Sequence, residues 1–431
     1  MQLRLPAGLR RARLRQFSYA PLLALAMSLM LMRLLVMARM LDLRHFADYS
    51  GGLLVSSSFL MLGCLGLQSL LQRELPVLIV RHREHDGGVL LLQCGLVAAA
   101  CAGFGVALVL VGGFSLAGLS PTMVALALVH GLSLQLFLIA TVESRSRGQA
   151  MRFARQNLAR AVILIFLDAA IAELGGEAAA VLAIEAISSL VLSLLFFRRQ
   201  LHAIPMRFSF ACALAWRQLP AIKWRSAFTL LALASLGFVV INCDRWLAAQ
   251  RLSVTAFAQY AFGWTLLMVA QSVQVVINAS LFPFLARCFG SQGGLIAFDA
   301  TARASLALLA CGAVLALPLW LLLDYSISRW FVVYQEVRSL LPIFLFISVL
   351  RVSDFWSSYL LVVGREARLL LLNLLSLPVA TVAWLLLAKP EADDLRIDQV
   401  ALLALLLAAI GYAVGAWAAW HCSEGFRKEA A

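Results

Sequence analysis

The chain has 431 residues, of which 63% are hydrophobic and only 13% charged, with a mean hydropathy of +0.91. Soluble globular chains carry about 25% charged residues, so this composition excludes one and indicates a polytopic membrane protein. The formal charge of +13 is a topology signal rather than a nucleic-acid footprint, because the basic residues lie between apolar runs of membrane-spanning length.

A helix crossing the hydrocarbon core needs about 20 apolar residues. Twelve stretches qualify: 17–40, 49–72, 88–111, 121–142, 156–174, 177–197, 226–248, 255–284, 299–323, 337–363, 367–388 and 399–421. Backbone groups in lipid must be satisfied within the segment, and no run alternates as a strand would, so each is expected to be helical. The first run follows Arg10, Arg11, Arg13 and Arg15 as a signal peptide would. It is too long for one and contains Arg33, so it reads as a retained span.

With the N-terminus inside, 25 lysines and arginines fall on the cytoplasmic side and 8 outside, while Arg33 and Arg351 lie within spans. Both termini are therefore expected in the cytoplasm. The densest inner run is Arg145, Arg147, Arg152, Arg155 and Arg160, counted as loop. The outer loops are too short to fold as a domain. The one substantial soluble piece, 198–225, mixes Phe208, Phe210, Leu214 and Trp216 with Arg207, Arg217, Lys223 and Arg225, which reads as an amphipathic helix on the inner leaflet. Eight cysteines without a CxxC pair argue against a disulfide framework and a zinc site.

That linker sits at the midpoint and divides the chain into lobes 1–197 and 226–431. Phe46-Ala47-Asp48-Tyr49 with Gly52 matches Phe257-Ala258-Gln259-Tyr260 with Gly263 at one constant offset, which supports duplicated six-helix lobes. At the same offset Arg33 corresponds to Asp244. Arg33 then either approaches Asp244 or snorkels or pairs locally.

Ionisable groups inside a membrane are costly, about 2.5–3.5 kcal/mol on insertion scales, and are usually paired or functional. Here they are Arg33, His130, Asp168, Glu185, Asp244, Arg245, Arg351 and Asp354. Arg351 and Asp354 are spaced i, i+3 and would share a helix face as an ion pair or a cleft lining, with Trp356, Ser357, Ser358 and Tyr359 beside them. Asp244-Arg245 stands near the outer end of its span. Asp168 and Glu185 are either hydrated and inert or able to exchange protons. Gln271, Gln274 and Asn278 fall on one helical face, either to read a solute or to glue helices. No nucleophile elbow, P-loop or HExxH is present, so no catalytic residue, metal or cofactor is expected.

Asp244-Arg245-Trp246-Leu247, then Phe257-Ala258-Gln259-Tyr260 and, after a long apolar helix, Leu281-Phe282-Pro283-Phe284-Leu285-Ala286-Arg287 resemble the seventh and eighth helices of Wzx-type lipid-linked oligosaccharide flippases. Those proteins belong to the superfamily that also holds the MATE drug exporters. The resemblance implies an all-α integral membrane protein with twelve helices in a MATE-like fold, two six-helix lobes around a central cleft. It implies a flippase of the bacterial inner membrane, moving a polyprenyl-pyrophosphate-linked glycan outward for surface polysaccharide synthesis. Membrane lipids and polysaccharide assembly proteins would be its partners. On that reading Arg33, Arg245 and Arg351 hold the anion, Gln271, Gln274, Asn278 and Trp356 meet sugars, Asp244 and Asp354 complete the site, and Asp168 or Glu185 couples ions. Two alternatives stay open. One is an ion-coupled MATE-like exporter of small molecules, disfavoured because arginines match or outnumber acids in the spans. The other is a polysaccharide polymerase or ligase, disfavoured by the short outer loops.

Overall fold

The computed structural model describes residues 19–201, 208–388 and 395–430, and apart from one isolated bridge, Leu116 to Leu119, it is helical. The arginines at 10–15 and part of the 198–225 linker, Arg207 included, lie outside the described residues. Helix α1 spans Ala20–Met40, with Pro21 in its first turn, where no N–H partner is lost. Helix α2, Leu43–Leu62, is capped by Asp42, whose carboxylate accepts from the His45 N–H at 2.7 Å.

The second expected span does not continue straight. It breaks after Leu62 and resumes as α3, Leu67–Val80, at a bend of 53°. Gly66 makes the break, with φ of +80°, and a Cβ there would stand 2.0 Å from the Ala227 carbonyl oxygen. Only glycine meets both demands. Helix α4 is Glu84–Gly112, stopped by Gly113 in the left-handed region. Helix α5, Pro121–Ser146, has a Ser120 cap and Pro121 at its first position. Helices α6, Ala150–Glu173, and α7, Ala178–Leu201, complete the first six expected spans.

A short helix α8, Phe208–Arg217, lies within the expected amphipathic linker. Its Ala211 and Ala215 pack on Val89 and Leu92 of α4, while Phe210 and Trp216 are exposed. Helix α9 is Trp224–Arg251, and α10, Val254–Gln292, begins at Ser253, which caps the Ala256 N–H at 3.2 Å. Helix α11 is Gly294–Trp330 and α12 is Val337–Ser353. The tenth expected span is also broken. Asp354 leaves the helix at φ −79°, ψ 94°, and the chain resumes as α13, Trp356–Val362. Just before the break, the Ser353 hydroxyl bonds the Val349 and Leu350 carbonyls at 2.8 and 3.0 Å, a local competitor for the helix ladder. Helices α14, Glu366–Ala388, and α15, Ile397–Ala430, close the chain.

Each of the twelve apolar runs thus falls on helix. Among the described residues nine segments are long and apolar enough to cross a membrane, one of them α12 and α13 taken together, and ten when the bent α2–α3 pair counts as one. Helix α6, of the run 156–174, is outside that count and carries Arg152, Arg155, Arg160, Asp168 and Glu173. Large apolar side chains crowd the outside, Val111 at 90% exposure and Val314 at 75% among them. A water-soluble protein would hide them; lipid does not require it.

The chain forms two compact units, Met1–Ser235 and Leu236–Ala431, dividing inside α9. In the first, α5 is the hub and packs on α2, α4 and α7; in the second, α12 packs on α10, α11 and α15. The fourth helix of each half therefore meets the second, third and sixth of its own half. The repeat is visible in detail. The caps Asp42 and Ser253 are equivalent, Tyr49 and Tyr260 are both fully buried, and a Cβ on Gly52 or Gly263 would collide with Leu182 at 2.5 Å or Phe344 at 2.4 Å.

Candidate functional site

The first unit holds a buried ion network. Arg33 of α1 is 5% exposed, and its Nη1 lies 2.5 Å from Glu185 Oε1 of α7 and 3.4 Å from Asp168 Oδ2 of α6. Glu185 is further held by the Tyr49 hydroxyl, donating at 2.6 Å, and by His130 Nε2 at 3.0 Å. The other ring nitrogen of His130 stands 2.6 Å from Ser56 Oγ. Arg160 of α6 donates from Nε to Ser189 Oγ at 3.0 Å, with its guanidinium 5.0 Å above the Phe137 ring.

Two arginines and two carboxylates balance, as burial demands. Glu185 is the more closely held of the two, by Arg33, Tyr49 and His130 at 2.5, 2.6 and 3.0 Å. Asp168 is held less closely, its Oδ2 by Arg33 at 3.4 Å, and among the described residues Asp168 Oδ1 and Glu185 Oε2 both lack a hydrogen-bond partner. Two sequence expectations change here. Arg33 spends its charge on α6 and α7, so it belongs to an internal network and is not an open anion seat. Arg160, counted with the basic loop, is buried within α6. Asp168 and Glu185 meet through Arg33, a link their sequence positions did not reveal.

The second unit has its own cluster. Asp244 of α9 is fully buried and accepts from the Tyr260 hydroxyl and, at 2.9 Å, from Trp264 Nε1, both on α10. Each half thus ties its repeated tyrosine to a buried carboxylate. Asp244 and Arg245 do not pair with each other, since neighbours on a helix point about 100° apart. Arg245 instead lies 4.4 Å above the Trp264 ring and donates to Asn242 Oδ1 at 3.2 Å, while the Arg351 guanidinium lies 5.5 Å from the same ring. Trp264 organises this cluster and was not singled out from the sequence. Its position one turn beyond Tyr260 was the available signal.

The break between α12 and α13 opens beside a cavity of about 360 Å³. Gln271, Gln274, Arg351, Asp354, Ser357, Asn373 and Tyr412 supply its polar lining, and Leu350, Leu369 and Leu407 part of its apolar wall. The expected Arg351–Asp354 ion pair is absent, because the helix ends between them. Asp354 takes a hydrogen bond from Ser357 Oγ at 3.3 Å, and Arg351 Nη1 has no partner. The amide stripe divides its work. Gln274 Nε2 donates to the Asp354 carbonyl freed by the break, at 3.3 Å, and Asn278 Oδ1 accepts from Ser358 at 3.0 Å, so both brace the break; Gln271 faces the cavity. Trp356 is buried against Phe298 and Tyr412 and does not line the cavity.

This architecture is an all-α, multi-pass membrane fold of the MATE type. Among solved structures the chain is similar to a multidrug resistance MATE family transporter of the MOP superfamily in an inward-facing conformation, at 14% identity and TM-score 0.60, covering 93% of this chain and 100% of that one. It is similar as well to the Vibrio cholerae MATE transporter VcmN, at 15% identity, TM-score 0.59, and 96% and 98% coverage. A third is the eukaryotic MATE transporter AtDTX14, at 14% identity, TM-score 0.57, and 94% and 95% coverage. No protein-family model and no curated protein sequence matches the chain.

Proposed function

We propose that this protein is a flippase that carries a polyprenyl-pyrophosphate-linked oligosaccharide from the cytoplasmic to the periplasmic leaflet of a bacterial inner membrane by alternating access, with both termini cytoplasmic. The observation that carries the reading is Arg351. It lines a cavity beside amides, hydroxyls and an aromatic ring, forms no ion pair, and keeps an unpaired Nη1. A planar guanidinium without an acid partner suits an anionic cargo, because it can donate two parallel hydrogen bonds. Arg245 supports the reading as a second cation held by an aromatic ring rather than a carboxylate. Ion coupling falls to Asp168, which Arg33 holds at 3.4 Å, rather than to Glu185, which Arg33, Tyr49 and His130 hold at 2.5, 2.6 and 3.0 Å. Cells carrying Arg351→Ala are expected to accumulate lipid-linked repeat units on the inner leaflet. Normal surface polysaccharide in that strain overturns the proposal.

A second reading, an ion-coupled exporter of small molecules, draws on Asp354, a carboxylate in the same cavity with only a serine as side-chain partner. A deletion strain that becomes drug-sensitive while its surface polysaccharide stays normal selects this reading over the first.

A further inference from the structure

The cavity of the second unit presents two opposite charges that do not spend themselves on each other. Arg351 and Asp354 both line it, yet the helix break keeps them from pairing; among the described residues the Asp354 carboxylate is held by Ser357 Oγ and by the Trp356 and Ser357 backbone N–H groups that open α13, while Arg351 Nη1 has no hydrogen-bond partner. Around them stand Gln271 and Asn373, and the Tyr412 hydroxyl, which also lacks a partner. A cavity of about 360 Å³ lies near the lower end of ligand pockets, roughly 300–1,000 Å³, so it takes a small solute or one portion of a larger one.

Charge and hydrogen bonding narrow the class. A pyrophosphate would satisfy Arg351 but face the Asp354 carboxylate. A lipophilic cation would satisfy Asp354 but face Arg351 and leave the amides unused. A polyhydroxylated ring bearing one carboxylate satisfies all of them: its acid group meets the guanidinium, its hydroxyls donate to Asp354 and exchange hydrogen bonds with Gln271 and Asn373, and its apolar face has Leu350, Leu369 and Leu407 as wall. We infer that this cavity is a binding site for an acidic sugar residue of the uronic-acid class. The inference rests on the glycan-carrier reading for its biological source, and it assigns Arg351 to the sugar acid rather than to the pyrophosphate.

Purified full-length protein in nanodiscs, titrated with glucuronate, glucose, inorganic pyrophosphate or tetraphenylphosphonium and followed by tryptophan fluorescence and calorimetry, tests it. Glucuronate is expected to bind saturably and at least about tenfold tighter than each of the others, since a site built around a charged group rejects ligands that leave it unpaired. Arg351→Gln should erase the preference for glucuronate over glucose. Asp354→Asn should weaken both sugars, and Gln271→Leu, which removes a lining amide without touching the charges, serves where a charge variant fails to fold. Tighter binding of pyrophosphate or tetraphenylphosphonium, binding at millimolar additive level only, or unchanged glucuronate affinity in Arg351→Gln and Gln271→Leu overturns the site. A vesicle assay with lipid-linked glycans of neutral and uronic composition separates the two claims. Transport of the neutral glycan without glucuronate binding sinks the site and spares the flippase; glucuronate binding without transport of either glycan does the reverse.

Discussion

Replacing Arg33 by methionine removes the one cation that touches both Glu185 and Asp168 and leaves two buried carboxylates with Arg160 as the remaining arginine of the network. Deleting one partner of a buried ion pair costs about 3–5 kcal/mol, most of it the uncompensated charge left behind. Arg160, Tyr49 and His130 remain, so the lower figure applies, about 3 kcal/mol. For a cooperative unit of this size each kcal/mol shifts the midpoint by about 2–4 °C, which gives a fall of roughly 6–12 °C. Thermal unfolding of the purified protein, followed by fluorescence-detected size exclusion, measures it. The double variant Arg33→Met with Glu185→Gln restores charge balance, Asp168 against Arg160, and is expected to melt above the single variant although it has lost one more native side chain. A fall below about 2 °C for Arg33→Met, or a double variant that melts at the sum of the two single losses, refutes the ion-network account.

Gly66→Ala is expected to abolish monodisperse expression, because its Cβ would meet backbone rather than a movable side-chain end, whereas Gly103→Ala, with nothing within 4 Å, should express as wild type; size exclusion of the two compares them directly. Trp264→Phe removes the 2.9 Å donor to Asp244, leaves the Tyr260 hydroxyl on the same oxygen, and should cost about 1.5–3 kcal/mol for a lost hydrogen bond to a charged group, seen as a lower melting temperature. Asp168→Asn removes the carboxylate assigned to ion coupling, so transport into vesicles should continue down a substrate gradient yet lose its response to an imposed pH gradient; a retained response assigns coupling elsewhere.

The membrane class and the helices were legible in the sequence because they depend on composition summed over about 20 residues. The two breaks were not. At Gly66 and at Asp354 the chain departs from helix over only a few residues, which such a sum cannot register, although Gly63 with Gly66 and Ser353 with Asp354 were local cues. Arg160 was assigned to a loop because it adjoins a basic run, and only its burial against Phe137 and Ser189 places it inside the bundle. The network joins Arg33 to carboxylates at least 135 positions away, a distance no helical period can bridge. The repeated Phe-Ala-x-Tyr motif has a local counterpart that the sequence did not announce: both tyrosines donate to buried carboxylates.

That separation also sets a timetable for biogenesis. Helix α1 leaves the ribosome carrying a guanidinium whose first carboxylate partner is encoded 135 residues downstream. At about 5–20 residues per second that is roughly 7–27 s of translation. Throughout this interval Arg33 has neither carboxylate to pair with, which costs the nascent helix about 2.5–3.5 kcal/mol on insertion scales, and the charge is neutralised when α6 and then α7 arrive. The ion network of the first unit is therefore completed late in synthesis, after its first span has already been made.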